Sequence, residues 1–134
     1  MTSVLVDSNV ILDIITRDVT WRAWSERALS EAADQGRVVI NPVVYAEISV
    51  RFARIEDLED ALPSSMFERE PIPYEAAFLA GKVFLAYRNR GGAKHSPLPD
   101  FFIGAHAAVE GHRLLTRDAS RYRTYFANLD IICP

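Results

Sequence analysis

The chain has 134 residues, 49% of them hydrophobic and 25% charged, with a formal net charge of −3. That length suits one domain with its own core, and the composition is too apolar for disorder. The lone cysteine, Cys133, excludes an intramolecular disulfide and favours a reducing, cytoplasmic setting. The longest stretches without Asp, Glu, Lys or Arg are 38–46 and 101–109, far short of the ~20 apolar residues a spanning helix needs. The beginning of the sequence carries Asp7 and Asp13 and no basic cluster, so it does not read as a signal peptide. Apart from Lys82 and Lys94, every basic residue is arginine. The arginine fork suits phosphate, so the acidic balance does not exclude a nucleic-acid partner.

Short apolar runs alternate with helical periods along the chain. That texture predicts an α/β fold, a three-layer α/β/α sandwich around a twisted, mostly parallel sheet of four to five strands. The run 3–6 reads as a strand buried on both faces. Asn9 can cap a helix over 10–15, and 21–35 reads as a second helix stopped by Gly36. A second strand covers 38–40. Asn41-Pro42 then supplies a cap and a first-turn proline for a helix reaching about Arg54. A short helix over 58–62 ends at Pro63, and 67–72 reads as a short edge strand. A long helix spans 74–90, and 91–97 is a loop containing Lys94 and His95. Pro99 opens a helix over 100–111, with His106 and Glu110 on its wet stripe. A strand at 114–116, a helical turn at 122–126 and a last strand at 129–132 complete the chain.

Four acids stand out. Asp7 directly follows the first buried strand. Thr116 and Asp118 follow another in the same way. The ordinary alternatives are a helix cap and a turn residue, although Asn9 already serves as a cap. Asp100 begins a helix that is apolar nearly all round, in line with Gly104, Ala107 and Gly111. A carboxylate so placed needs a partner, and its small neighbours imply close packing. Glu47 shares a helical stripe with Arg51 and Arg54, where a plain surface pair with Arg51 is the bland explanation. A doubly wound sheet brings strand-end positions together at one edge. Carboxylates gathered there call for a cation. With the three histidines scattered along the sequence, oxygen-only ligation fits Mg²⁺ or Mn²⁺. The matching chemistry is hydrolysis at a phosphodiester.

Five segments, Val-Asp-Ser-Asn-Val (6–10), Asn-Pro-Val-Val-Tyr-Ala-Glu (41–47), Pro-Asp-Phe-Phe-Ile-Gly-Ala-His-Ala (99–107), Leu-Leu-Thr-Arg-Asp (114–118) and Tyr-Arg-Thr-Tyr-Phe (122–126), resemble those of PIN-domain ribonucleases. More narrowly, they resemble the VapC-type toxins of toxin–antitoxin pairs. The likeness runs over nearly the whole chain, with the segments in family order. It implies an acidic pocket of Asp7, Glu47, Asp100 and Asp118, with metal held by Asp7, Asp100 and Asp118. Asn9 and Thr116 would position ligands. It also implies metal-dependent cleavage of single-stranded RNA regions, a cognate antitoxin and a homodimer. The chain departs from many relatives in having Arg121 where they carry a further acid. This leaves four firm carboxylates, so one ion is expected on the free protein and a second would arrive with the RNA phosphate.

Arg51, Arg54, Lys94, Arg117, Arg121 and Arg123 are candidates for an RNA path, with plain solvation as the alternative. His95 is a candidate general acid. Tyr122, Tyr125 and Phe126 could stack bases or fill the core. Trp21 and Trp24 could be core or a partner surface. Rival functions fit less well. A phosphoryl receiver needs a lysine after the last strand, and a phosphatase pair needs a second acid where Asn9 stands. A degenerate domain that only binds RNA or protein would not need all four carboxylates.

Overall fold

The computed structural model describes residues 2–92 and 97–134. The chain runs β1 (Thr2–Val6), α1 (Ser8–Ile15), α2 (Arg22–Gln35), β2 (Gly36–Ile40), α3 (Pro42–Ser49) and α4 (Ile55–Ala61). It continues through β3 (Glu68–Arg69), α5 (Tyr74–Asn89), α6 (Leu98–Glu110), β4 (Arg113–Leu115), α7 (Ser120–Tyr125) and β5 (Ile131–Ile132). The five strands are all parallel, in the order β3-β2-β1-β4-β5. Parallel neighbours need crossovers, and right-handed ones place α1–α4 on one face and α5–α7 on the other. The packing of α1 on α2 and α3, and of α6 on α5 and α7, agrees. This is the α/β sandwich that the alternating pattern predicts.

Val4, Leu5 and Val6 of β1 are almost fully buried, because helices cover both faces of the sheet. β1 is also where the strand order turns. The chain leaves it toward β2 and β3 on one side and later returns to β4 on the other. Open α/β sheets hold ligands outside the carboxyl ends of their strands at such a point. Val6 is in register with Leu115, and the Asp7 N–H donates to the Leu115 carbonyl at 2.9 Å. The residues just past β1 and β4 are therefore stitched side by side.

Several local expectations shift. Helix α1 begins at Ser8, and its cap is Asp7, not Asn9: the Asp7 carboxylate accepts the Ser8 N–H at 2.8 Å. Helix α3 does cap on Asn41, whose Oδ1 accepts the Val44 N–H at 2.9 Å, but it stops at Ser49 rather than Arg54. The edge strand shrinks to two residues, as short edges do when a sheet guards against further pairing. Gly36 opens β2 as well as closing α2. A Cβ there would lie 2.0 Å from the Thr2 carbonyl oxygen, so the approach of β1 demands glycine. The small residues in line with Asp100 do have a close neighbour: the Phe126 ring, which would meet a Cβ on Gly104 at 2.5 Å. His106, expected on a wet stripe, is fully buried against the sheet. Among the described residues, no helix is long and apolar enough to cross a membrane.

Candidate active site

A cleft of about 480 Å³ opens at the carboxyl ends of β1 and β4, lined by Asp7, Asn9, Glu47, Asp100, Asp118 and Arg121, among others. Strand β1 delivers Asp7. Helix α3 delivers Glu47 from its second turn, and α6 delivers Asp100 from its first. The loop after β4 delivers Asp118. Four acids that lie far apart in sequence thus share one cavity.

Asp7 is the deepest of them, at 4% exposure. Its Oδ2 accepts the Thr116 hydroxyl at 2.9 Å and the Tyr122 hydroxyl at 2.9 Å, while Oδ1 faces the Ser8 N–H. Burial nevertheless pushes its carboxyl up to about 6. The Thr116 and Tyr122 bonds pull the other way, and the negative charges of Asp100 and Glu47 add to the rise. Glu47 is raised too, by burial first and by Asp100, against a bond from the Ser8 hydroxyl at 2.9 Å. That bond takes the place of the expected surface pair with Arg51. Asp118 is more exposed, and its Oδ1 accepts from the Ser120 hydroxyl at 3.1 Å.

Asn9 and Thr116 form a bridge between strand ends. The Asn9 amide donates to Thr116 Oγ1 at 3.2 Å, and its Oδ1 accepts the Arg117 N–H at 3.1 Å. Thr116 Oγ1 is also within reach of the Asp118 N–H at 3.2 Å. Freed from capping, Asn9 fastens the loop that carries Asp118 to the helix that follows Asp7.

An all-oxygen donor set with two carboxyls held above their usual range fits a hard divalent cation. A cation beside Asp7 and Glu47 would favour their ionised forms and so offset the burial and neighbouring charge that raise them. Zinc is a poorer match for this cleft, which contains no histidine or cysteine among the described residues.

The sequence matches the PIN domain family over residues 4–127. The chain belongs to the PIN domain family. No curated protein matches it. Among solved structures, it is similar to VapBC2 from Rickettsia felis bound to a promoter DNA fragment, at 17% identity over 99% of each chain with a TM-score of 0.76. It is also similar to VapBC-1 from nontypeable Haemophilus influenzae, at 16% identity over 98% of each chain with a TM-score of 0.73. A toxin–antitoxin complex from Klebsiella pneumoniae matches at 21% identity, 96% of this chain and 95% of that one, with a TM-score of 0.69.

Sequence reading does not give Ser8, Ser120 or Tyr122 the part each plays in this PIN domain's cleft, where Ser120 donates to Asp118. Ser8 steadies Glu47, and Tyr122 donates to Asp7. Tyr122 is 2% exposed and belongs to the core, as its spacing suggests, but a buried tyrosine hydroxyl usually has a partner. That rule was a usable signal. Phe126 is core as well, whereas Tyr125 is half-buried, against Phe101 at 5.1 Å between ring centroids.

The arginine candidates divide. Arg51 and Arg54 are exposed, and Arg54 pairs with Glu56 at 3.1 Å. Arg123 donates to Cys133 Sγ at 3.1 Å. Arg117 is committed elsewhere: its fork closes on buried Asp13 at 2.8 and 3.1 Å, and its guanidinium lies 5.7 Å from the Trp21 ring centroid. It is a strut between the β4 loop and α1, not a free phosphate ligand. Trp21 itself packs edge-on against Trp24, which leans on the core. Arg121 donates to Asp100 Oδ2 at 2.7 Å. Lys94 and His95 lie outside the described residues.

The histidines are not all scattered once the PIN domain folds. His106 Nε2 and His112 Nε2 lie 3.0 and 2.7 Å from the same oxygen of Glu70, and these atoms are close enough to share a metal ion. Hydrogen bonding argues for protons instead. Asn41 Oδ1 is occupied by the Val44 N–H, so its amide NH₂ faces His106 Nδ1 at 3.0 Å. Nδ1 must then accept, which leaves the proton on Nε2, pointing at Glu70. Burial first of all holds His106 below its usual range, so it stays neutral. Partial burial alone would raise Glu70, but bonds from His112, Arg37 and His106 hold it low. This cluster ties the edge strand to α6 and β4.

Proposed function

We propose that this PIN domain is a divalent-metal-dependent endoribonuclease that cleaves single-stranded regions of RNA and serves as the toxin of a toxin–antitoxin pair. The observation that carries the reading is the convergence of Asp7, Glu47 and Asp100 on one cleft, where burial, together with the charge of Asp100, holds Asp7 and Glu47 above their usual range. Asp7, Asp100 and Asp118 would hold Mg²⁺ or Mn²⁺, with Glu47 beside them. When bound, such an ion supplies an activated water and offsets the charge that builds on the phosphate.

The chain's own residues prepare that chemistry. Thr116 and Tyr122 aim Asp7 by hydrogen bonds, and Ser8 aims Glu47. Asn9 sets the β4 loop and with it Asp118. No side chain needs to act as a covalent nucleophile. Among the described candidates, Arg51, exposed Arg54 and Arg121 of the cleft would meet the RNA backbone, with Lys94 as a further candidate. An antitoxin partner is proposed because the similar solved structures are toxin–antitoxin complexes. A homodimer in the cytoplasm is the matching assembly.

The test is a mixed pool of structured RNAs incubated with the purified protein in Mg²⁺, in Mn²⁺ and in chelator, beside Asp100→Asn. The expected result is cutting at defined single-stranded sites, lost with chelator and in the variant. RNA binding without cutting under any condition would instead favour a module that only binds. Failure to bind any divalent ion would sink the acidic-cleft reading.

A further inference from the structure

Among the described residues, the acidic cleft contains one cation of its own. Arg121, in the first turn of α7, puts Nη1 2.7 Å from Asp100 Oδ2, and both side chains line the cleft with Asp7, Glu47 and Asp118. We infer that Arg121 is a built-in counter-ion, which a divalent ion must displace from Asp100, freeing the guanidinium for the substrate phosphate. The inference rests on the metal-dependent reading above and adds to it a competitor for the metal.

Three observations support it. First, Asp100 shares the cleft with Asp7, Glu47 and Asp118, so Arg121 sets its positive charge among four gathered carboxylates. Second, the contact is one-pronged, like the exposed pairs of Arg22 and Arg54 and unlike the two-pronged pairs of the chain. Arg117 closes two prongs on Asp13, and Arg37 closes two on Glu68. Among the described residues, Arg121 engages a carboxylate through Nη1 alone, which leaves further donors on the fork for a second acceptor. Third, the pair is partly open, with side-chain exposures of 43% and 31%. Pairs of that kind open at little cost.

Displacement follows from distance and charge. A Mg²⁺ ligand oxygen sits about 2.0–2.1 Å from the ion. The guanidinium cannot keep its hold on Oδ2 beside such an ion without like-charge repulsion. The same α7 turn gives Asp7 a neutral donor, Tyr122, which need not leave. Helix α7 therefore presents a fixed positioning contact to one acid and a removable charge to the next.

The test is Mn²⁺ titration of the full chain, read from the spectroscopic signal of free Mn²⁺, in wild type, Arg121→Gln, Arg121→Met and Arg121→Lys. Removing the charge should tighten Mn²⁺ binding by up to about fivefold, the change expected for losing one partly exposed ion pair. Arg121→Lys keeps the charge and should stay near wild type. Once an RNA substrate is in hand, Arg121→Gln should raise KM for it more than it lowers kcat. Thermal melts would check that each variant is folded, and the partly exposed position gives no reason for collapse. Unchanged or weaker Mn²⁺ affinity in both Gln and Met variants would overturn this inference alone. No Mn²⁺ binding by wild type or any variant would overturn the metal-dependent reading and this inference together.

Discussion

Asp7→Asn is expected to gain stability over the wild type as pH rises, and to lose RNA cleavage. The sign follows from the raised carboxyl. Asp7 titrates at about 6 in the folded chain against an ordinary value of 3.8. Between those values the folded state holds the proton and the unfolded state releases it. Wild-type stability therefore falls with rising pH across that window, and the full penalty persists above it. The span corresponds to roughly 3 kcal/mol in all, of which about 2 kcal/mol falls between about pH 4.5 and 7. Asparagine does not titrate, so the difference between variant and wild type isolates this group. Contributions from other groups, such as neutral His106, which act in the opposite direction, cancel in that difference. Urea unfolding of both proteins in chelator at the two pH values measures it. A constant offset from lost hydrogen bonds to Thr116 and Tyr122 is expected on top, without pH dependence. A flat difference would mean that Asp7 keeps an ordinary pKa and that the cleft is wetter than it looks. Added Mn²⁺ should stabilise the wild type and not the variant.

Arg117→Ala should destabilise the fold by about 2–3 kcal/mol, somewhat below the usual cost of breaking a buried pair because Arg117 is 31% exposed. Asp13 is 3% exposed, and without the arginine fork its carboxylate keeps, among the described residues, the Ser25 hydroxyl at 2.8 Å. A largely uncompensated buried charge is the source of the cost. Asp13→Asn combined with Arg117→Ala should recover part of the loss, since no charge is then stranded. Trp21 fluorescence should shift as the guanidinium leaves its ring. RNA affinity of the folded variant should stay unchanged. The competing view of Arg117 as an RNA ligand predicts the reverse, with full stability and weaker RNA binding, so one melt and one binding curve separate the two.

Arg117 and Arg121 show where reading along the chain stops. Both look alike as exposed arginines near Asp118. One is a strut and the other sits in the cleft, and the difference depends on which carboxylate the fold brings within 3 Å. Asn9 and Asp7 exchange roles for a similar reason. Both residue types cap helices well, and the choice falls to Asp7 because it is the single residue between the end of β1 at Val6 and the start of α1 at Ser8.

Local patterns were enough for the architecture. Short apolar runs alternating with helical periods can be buried only by a parallel sheet with helices on both faces, which is the sheet that forms. They also marked Asp7, Asp100 and Asp118 as acids at strand ends and a helix start, because a carboxylate beside buried strands stands out against its neighbours. Two kinds of fact lay beyond them. Pairings across more than a hundred residues, such as Thr116 and Tyr122 on Asp7, depend on register and helix placement. Burial of polar groups depends on what covers them. His106 looked wet on its own helix, and it became dry because the sheet, Asn41 and Glu70 close over it. Periodicity describes one element at a time, whereas a hydrogen bond or a desolvated charge belongs to two elements at once, and only the tertiary structure brings them together.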